Sequence, residues 1–266
     1  MAEEKVKADL HNHLRTSSHF QEEDFNRAVD ITYEGLGQGG ILGLANFNDS
    51  CYEDFSGLGL RGYDRENIGN AVYVPEKDIL IVKGQEVPTN QGHLLVLCLQ
   101  QRKHLKTYRS LEDTLKEAKD NNGIIIADHP FYREGIGYHL EQHPELLESF
   151  DAIEVHNGEA VWIPKLAPKN ANKKAREFYL TQKRNHPHLG ALSTSDGHSF
   201  YEVGRNYTLI SEPAIETPEK LTESLRKSVR EAFCYDTSQH TSTLGAIDHL
   251  LDLAVLAGLS KLGIKR

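Results

Sequence analysis

Asp9-Leu10-His11-Asn12-His13 closes the first apolar run of the chain, residues 6–10. The run reads as a buried strand. In an extended segment His11 and His13, two positions apart, point to the same side. The arrangement recurs downstream. Residues 124–127 are apolar and lead into Asp128-His129-Pro130, and residues 189–192 lead towards Asp196-Gly197-His198. Imidazoles and carboxylates arriving at the ends of several strands form the donor set that a cluster of divalent cations requires. These three signals imply metal-dependent hydrolytic chemistry.

Working outward, further strand-like runs occupy residues 41–45, 79–82, 93–99 and 152–155. Between them lie helical patterns. Residues 24–36 carry Phe25, Ala28, Val29 and Thr32 on one side. Ser110-Leu111-Glu112-Asp113 resembles a capping box and starts a helix to about residue 120. Residues 170–184 form the next helix, and Thr217-Pro218 caps another through about residue 230, with proline at the first helical position. Residues 243–262 place Leu244, Ile247, Leu251, Val255 and Leu262 at helical spacing and read as a C-terminal helical extension. Residues 46–70 and 130–143 read as loops. Alternating strands and helices imply an α/β fold with a mostly parallel sheet and crossover helices. The candidate ligands follow the strands, at the C-terminal ends where barrel enzymes keep their chemistry. With no low-complexity linker and no internal repeat, one domain over residues 1–266 is the economical organisation.

Composition narrows the partners. A formal net charge of −9 argues against a long duplex nucleic acid as ligand, since phosphate neutralisation needs clustered Lys and Arg. A small phosphorylated substrate, or a short nucleic acid held through metals, stays compatible. The three cysteines, Cys51, Cys98 and Cys234, are odd in number and far apart, which implies a reducing compartment without a disulfide framework. Cys98 reads as core. No signal-peptide pattern opens the chain and no run reaches the length of a membrane span, so a cytoplasmic location without membrane contact is expected.

The ordered set of motifs resembles the PHP (polymerase and histidinol phosphatase) family. After Asp9–His13 come Gly84-Gln85-Glu86, Gly92-His93-Leu94, Asp128-His129-Pro130, Ile153-Glu154-Val155 and Ser195-Asp196-Gly197-His198. Val203-Gly204-Arg205-Asn206-Tyr207-Thr208 follows them. The resemblance covers residues 6–210. It implies a distorted (β/α)7 barrel binding up to three Zn, Mn or Fe ions. By that resemblance His11, His13, Glu86 and Asp196 hold a first ion, and Glu86 bridges to a second held by His93 and His129. His19 and His198 belong to a third. The third site departs from the family pattern: Ala45-Asn46-Phe47 stands where Thr-Asp-His is usual, and Phe47 has no lone pair to donate. Two tightly held ions are therefore expected, with the third site empty or weakly filled.

The resemblance implies a phosphoesterase acting on a small phosphomonoester or a nucleotide-like phosphodiester through a metal-bound hydroxide. Glu154 and His156, two apart in a strand, can both face the barrel interior. His156 is the candidate to protonate a leaving oxygen, with a ligand-orienting role as the alternative. Arg15, Arg133 and Arg205 sit beside motifs and are the candidates for phosphate contact. Two other readings share these residues: a degraded metal-binding domain serving as a scaffold, supported by Phe47, and an amidohydrolase, which normally has a lysine bridge or a different histidine pattern.

Overall fold

The computed structural model describes residues 4–14, 22–46, 51–57, 62–100, 102–161 and 170–233. Ten strands and six α-helices follow in order among them. They are β1 (Lys5–Asn12), α1 (Glu22–Leu36), β2 (Ile41–Asn46), α2 (Cys51–Gly57), β3 (Glu66–Asn67), β4 (Ala71–Val74), β5 (Ile79–Thr89) and β6 (Gly92–Leu97). After these come α3 (Leu111–Asp120), β7 (Ile124–Ala127), α4 (Gly137–Gln142), β8 (Ala152–Asn157), α5 (Ala171–Gln182), β9 (Gly190–Thr194), β10 (Thr208–Ser211) and α6 (Pro218–Arg230). Four of the expected helices are present, with Ser110 accepting from the Asp113 amide and Thr217 from the Lys220 amide at the N-termini of two of them. The expected helix over residues 243–262 lies outside the described residues.

The strands form one sheet in the order β10-β1-β2-β5-β6-β7-β8-β9, with β4 and β3 branching from β5. The seam between β9 and β10 is bridged by a side chain: the Thr208 hydroxyl accepts from the Ser193 amide (2.8 Å) and donates to its carbonyl (3.0 Å). The result is a nearly closed barrel of the PHP type. Its interior is filled from every side, by Ala8, Leu10, Val82, Leu95, Ile126 and Leu192 among others, and α6 caps one end with Leu221, Leu225 and Val229.

The structure departs from three expectations. The sheet is mixed rather than mostly parallel. β5 returns directly into β6 across Asn90 and Gln91, with Gly92 at φ 135°, so no helix crosses over and β5–β6 and β6–β7 are antiparallel. Residues 46–70 are not simply a loop, since they contain α2 and β3. Residues 130–143 contain α4, followed by a 3₁₀ turn, Pro144–Ser149. The polar sequence of α4 conceals its one buried edge, Gly137 and Leu140.

Two bulges shape the C-terminal end of the barrel. Between β1 and β2 the register shifts between Asp9 and Asn12, so β1 carries one extra residue opposite Gly43. A Cβ at Gly43 would meet the Leu10 carbonyl at 2.1 Å, which is why only glycine fits there. Between β8 and β9 the register shifts again, between Glu154 and His156. Bulges re-aim side chains and break strict alternation. Here both lie where the histidine motifs begin.

Candidate metal centre

Asp9 anchors the site without being exposed to it. Its Oδ1 accepts from the Ser195 amide (2.9 Å) and its Oδ2 from the Gly204 amide (2.8 Å), tying β1 to the segment after β9. Burial pushes its carboxyl up to about 6 despite these bonds. The His13 amide donates to the Gly197 carbonyl at 2.6 Å. The first and last motifs, nearly the whole chain apart, thus lie side by side.

Glu86, entirely within β5, reaches both halves of the cluster. Its Oε2 lies 3.1 Å from His13 Nε2. Its Oε1 lies 2.6 Å from His93 Nδ1 and 2.9 Å from His129 Nε2. His11 Nε2 stands 3.6 Å and His13 Nε2 3.5 Å from Asp196 Oδ1. Among the described residues, the sets of potential ligands with donor atoms within 4.8 Å of one another include His11, His13 and Asp196, and Glu86, His93, Asp128 and His129. Six residues singled out in the sequence therefore converge. His129 (φ 25°) and Asp196 (φ 50°) hold left-handed backbone that costs a non-glycine residue on the order of 1 kcal/mol or more.

Two carboxylates complete the cluster. Asp128 was legible only as a motif neighbour of His129. Its Oδ1 accepts from the Leu95 amide (3.1 Å), while its buried Oδ2 has no hydrogen-bond partner among the described residues and stands 3.4 Å from His129 Nε2. Burial, with Glu86 close by, pushes this carboxyl up to about 7. Glu154 orients the others. It accepts from His11 Nδ1 (3.0 Å), Thr194 Oγ1 (2.9 Å), the His129 amide (2.8 Å) and Asn157 Nδ2 (3.0 Å). A proton on His11 Nδ1 leaves the lone pair on Nε2, the atom facing Asp196. Asn157 also donates to Asp196 Oδ2 at 3.0 Å and so turns Oδ1 towards the histidines.

Electrostatics describe a site built for positive charge. Burial disfavours a charged imidazole, yet Asp196 and Glu154 beside His11, and Asp128 and Glu86 beside His129, push both rings well above their ordinary range. Burial would likewise raise Glu86, but His129, His13 and His93 hold it well below the usual carboxylate range. A mixed nitrogen and oxygen donor set with an orphaned carboxylate oxygen suits a borderline divalent cation such as Zn, Mn or Fe.

The cleft over the cluster has a volume of about 150 Å3, and its walls include Glu86, His93, His129, Tyr132, Arg133 and His198. Arg133 is thus at the site. Arg205 is not: its Nε donates to the Tyr201 carbonyl (2.8 Å) and it lines a separate groove with Lys7 and Tyr207. His156 is also displaced. The bulge after Glu154 removes the alternation that would have turned it inward, and its Nδ1 lies 3.4 Å from Asn172 on α5, away from the cleft walls. Arg15, His19 and Phe47 lie outside the described residues.

A family model described as PHP-associated matches residues 169–229, the stretch containing α5, β9, Asp196–His198 and most of α6. The chain thus has the fold of a PHP-type barrel, and the family match is confined to its C-terminal part. Among solved structures it is similar to PsfC from Pseudomonas syringae PB-5123 (17% identity, 98% of this chain and 99% of that one, TM-score 0.57). It is similar to the lesion-specific endonuclease PfuEndoQ from Pyrococcus furiosus (14% identity, 85% of this chain, TM-score 0.55). A third is a two-domain protein from Bacteroides vulgatus ATCC 8482 containing a predicted PHP-like metal-dependent phosphoesterase (19% identity, 85% of this chain, TM-score 0.50). The chain spans 56% of the length of the endonuclease and 64% of that of the two-domain protein. No helix among the described residues is long and apolar enough to cross a membrane.

Proposed function

We propose that this chain is a metal-dependent phosphoesterase that acts on a small phosphomonoester or a nucleotide-like phosphodiester. The observation that carries this reading is Glu86, one carboxylate whose two oxygens reach histidines of both ligand sets. His11, His13, Glu86 and Asp196 would hold one cation. Glu86, His93, His129 and Asp128 would hold its neighbour. When bound, such a pair polarises a phosphoryl group and makes water a competent nucleophile near neutral pH.

The chain's own residues supply the rest. Glu154 and Asn157 orient His11 and Asp196, so that His11 Nε2 and Asp196 Oδ1 face each other before any ligand arrives. Arg133 at the wall matches phosphate in charge and geometry. Tyr132, raised to about 12 chiefly by burial, keeps its phenolic proton at neutral pH and can donate to a phosphoryl oxygen. A cleft of about 150 Å3 favours a phosphoryl group with a compact substituent over an extended polymer.

The test combines metal analysis of purified protein with a phosphate-release screen. The substrates are sugar phosphates, histidinol phosphate, mononucleotides and short oligonucleotides. Bound divalent metal and chelator-sensitive turnover of at least one substrate are expected. Protein that takes up no metal when loaded would instead be a degraded PHP domain serving as a scaffold. Release confined to oligonucleotides would move the reading towards the nuclease side of the fold.

A further inference from the structure

A second group of imidazoles and carboxylates stands on α4, apart from the walls of the metal cleft. His139 lies in α4 and His143 caps its C-terminus. The His143 amide donates to the His139 carbonyl at 3.0 Å, so one helical turn brings both rings to the same side. Their centroids are 4.5 Å apart, with the ring planes inclined at 38°. Glu112, in the first turn of α3, places Oε1 3.9 Å from His139 Nε2. Glu145, in the 3₁₀ turn that follows α4, places Oε1 3.3 Å from His143 Nδ1. We propose that His139, His143 and Glu112 form a separate site for a borderline divalent cation, Zn or Cu, which clamps α4 to α3.

The atoms that face one another support this. His139 Nε2 is buried and has no hydrogen-bond partner among the described residues. An unsatisfied buried nitrogen is a cost that a bound ion removes. Bonds of ~2.0–2.2 Å at a tetrahedral angle set two donors ~3.4 Å apart, so the 3.9 Å between His139 and Glu112 closes with a small rotation. The Glu112 and His143 side chains are 55% and 47% exposed, which leaves both room to turn. Glu145 sets the tautomer of the other ring. An ionised carboxylate only accepts, so its contact with His143 puts the ring proton on Nδ1 and leaves the lone pair on Nε2. Two imidazoles and one carboxylate, with water completing the shell, are a donor set for Zn or Cu. Mg and Ca, which take oxygen shells, fit it poorly.

The place of α4 gives the clamp a purpose. The helix has six residues and only Gly137 and Leu140 buried, too short to hold itself by its own hydrogen bonds. It continues the segment that brings Tyr132 and Arg133 to the cleft. The Gly137 amide donates to the Pro130 carbonyl, and the His93 amide to the Glu134 carbonyl, both at 2.7 Å. An ion shared by α3 and α4 would fix that segment from outside the barrel without touching the cleft.

The experiment reads zinc binding and local protection together. The full chain is stripped and titrated with Zn2+ against graded chelator, as the unmodified protein, His143→Gln, Glu112→Gln and Glu86→Gln. Bound zinc is counted by elemental analysis, and amide exchange is followed over residues 137–143. Thermal melting in chelator checks that each variant folds. The unmodified protein should hold one more zinc than His143→Gln. Zn2+ at ten times the dissociation constant of this site should slow exchange in residues 137–143 by ~10-fold. His143→Gln should show no slowing, and Glu112→Gln should need at least ~10-fold more Zn2+ to reach it. Glu86→Gln should keep the slowing whatever happens to the ions in the barrel, which separates this site from the paired reading. Equal zinc counts in the unmodified protein and His143→Gln, or equal slowing in both, would overturn the proposal. Loss of the slowing in Glu86→Gln would overturn it too, since the effect would then come from the barrel.

Discussion

Asp151 and Glu154 are three residues apart, one just before β8 and one inside it, and their surroundings are opposite. Asp151, just before the strand, accepts from Arg226 Nη1 (2.8 Å), Arg230 Nε (2.6 Å) and the Ile125 amide (2.8 Å). Its charge is answered by guanidinium groups that never lose theirs. Glu154 belongs to a group with Glu86, Asp128 and Asp196 whose ion pairs, among the described residues, are all with histidines. Histidine exchanges its proton for a cation readily. One end of the barrel is thus a closed electrostatic balance that serves stability. The other is open, completed by whatever cation the cleft admits, and that division matches the general polarity of such barrels.

The division between the two ends of the barrel is sharpest at Glu86. Glu86→Gln removes the negative charge shared by the two ligand sets. Loss of a residue that merely orients a ligand costs ~10–100-fold in affinity or activity, so a shared ligand should exceed the upper end of that range. Elemental analysis and turnover are the readouts, and unchanged values in both would refute the bridging role. The variant should also lose most of the thermal stabilisation given by saturating metal, about 4 kcal/mol when the ion is at a thousandfold its dissociation constant.

Asp151→Ala makes the complementary cut. It removes the carboxylate shared by Arg226 and Arg230, with Arg226 still bonded to Asn122 and Gly123, and leaves the Ile125 amide unpaired, which should cost about 2 kcal/mol in denaturant unfolding. Metal stoichiometry should not move. If metal binding fell as far as in Glu86→Gln, the two ends would not be independent.

Glu154→Gln tests the orienting role directly. It should reduce metal affinity ~10–100-fold, with stoichiometry at saturation retained. A loss as deep as that at Glu86 would mean that Glu154 is itself a ligand.

A pH dependence follows from the raised imidazoles. In the metal-free protein His11 and His129 keep their protons well above the ordinary histidine value of 6.5, so loading a cation must expel them. Proton release on binding should be measurable at pH 7, and affinity should rise with pH. Calorimetry in buffers of different ionisation enthalpy counts these protons, and a count of zero would show that the rings are neutral before binding.

A second pH dependence concerns Glu53, beside the buried Lys83. Burial alone would raise its carboxyl, but hydrogen bonds from His104, Lys83 and the Arg102 amide hold it at about 2. A depressed acid adds stability above its unfolded value of 4.5 that disappears as the pH falls towards 2. Glu53→Gln should flatten the stability profile in that window and leave the metal count unchanged. An unaltered profile would show that Glu53 does not contribute there.

The local chemistry of the chain decided which residues could matter. Apolar runs ending in Asp, His and Glu mark strands by composition alone, so His11, His13, Glu86, His93, His129 and Asp196 were legible, as were the caps at Ser110 and Thr217. Alternation along a strand is also a local property, and it failed only where the chain leaves the regular pleat. The bulge after Glu154 turned His156 towards Asn172, and the bulge at Leu10 exists because Gly43 lets two backbones approach. Directions between strands, the hub at Glu154 and the orphaned oxygen of Asp128 depend on contacts between distant segments. Those contacts are set by how the barrel closes, and no window of sequence contains them.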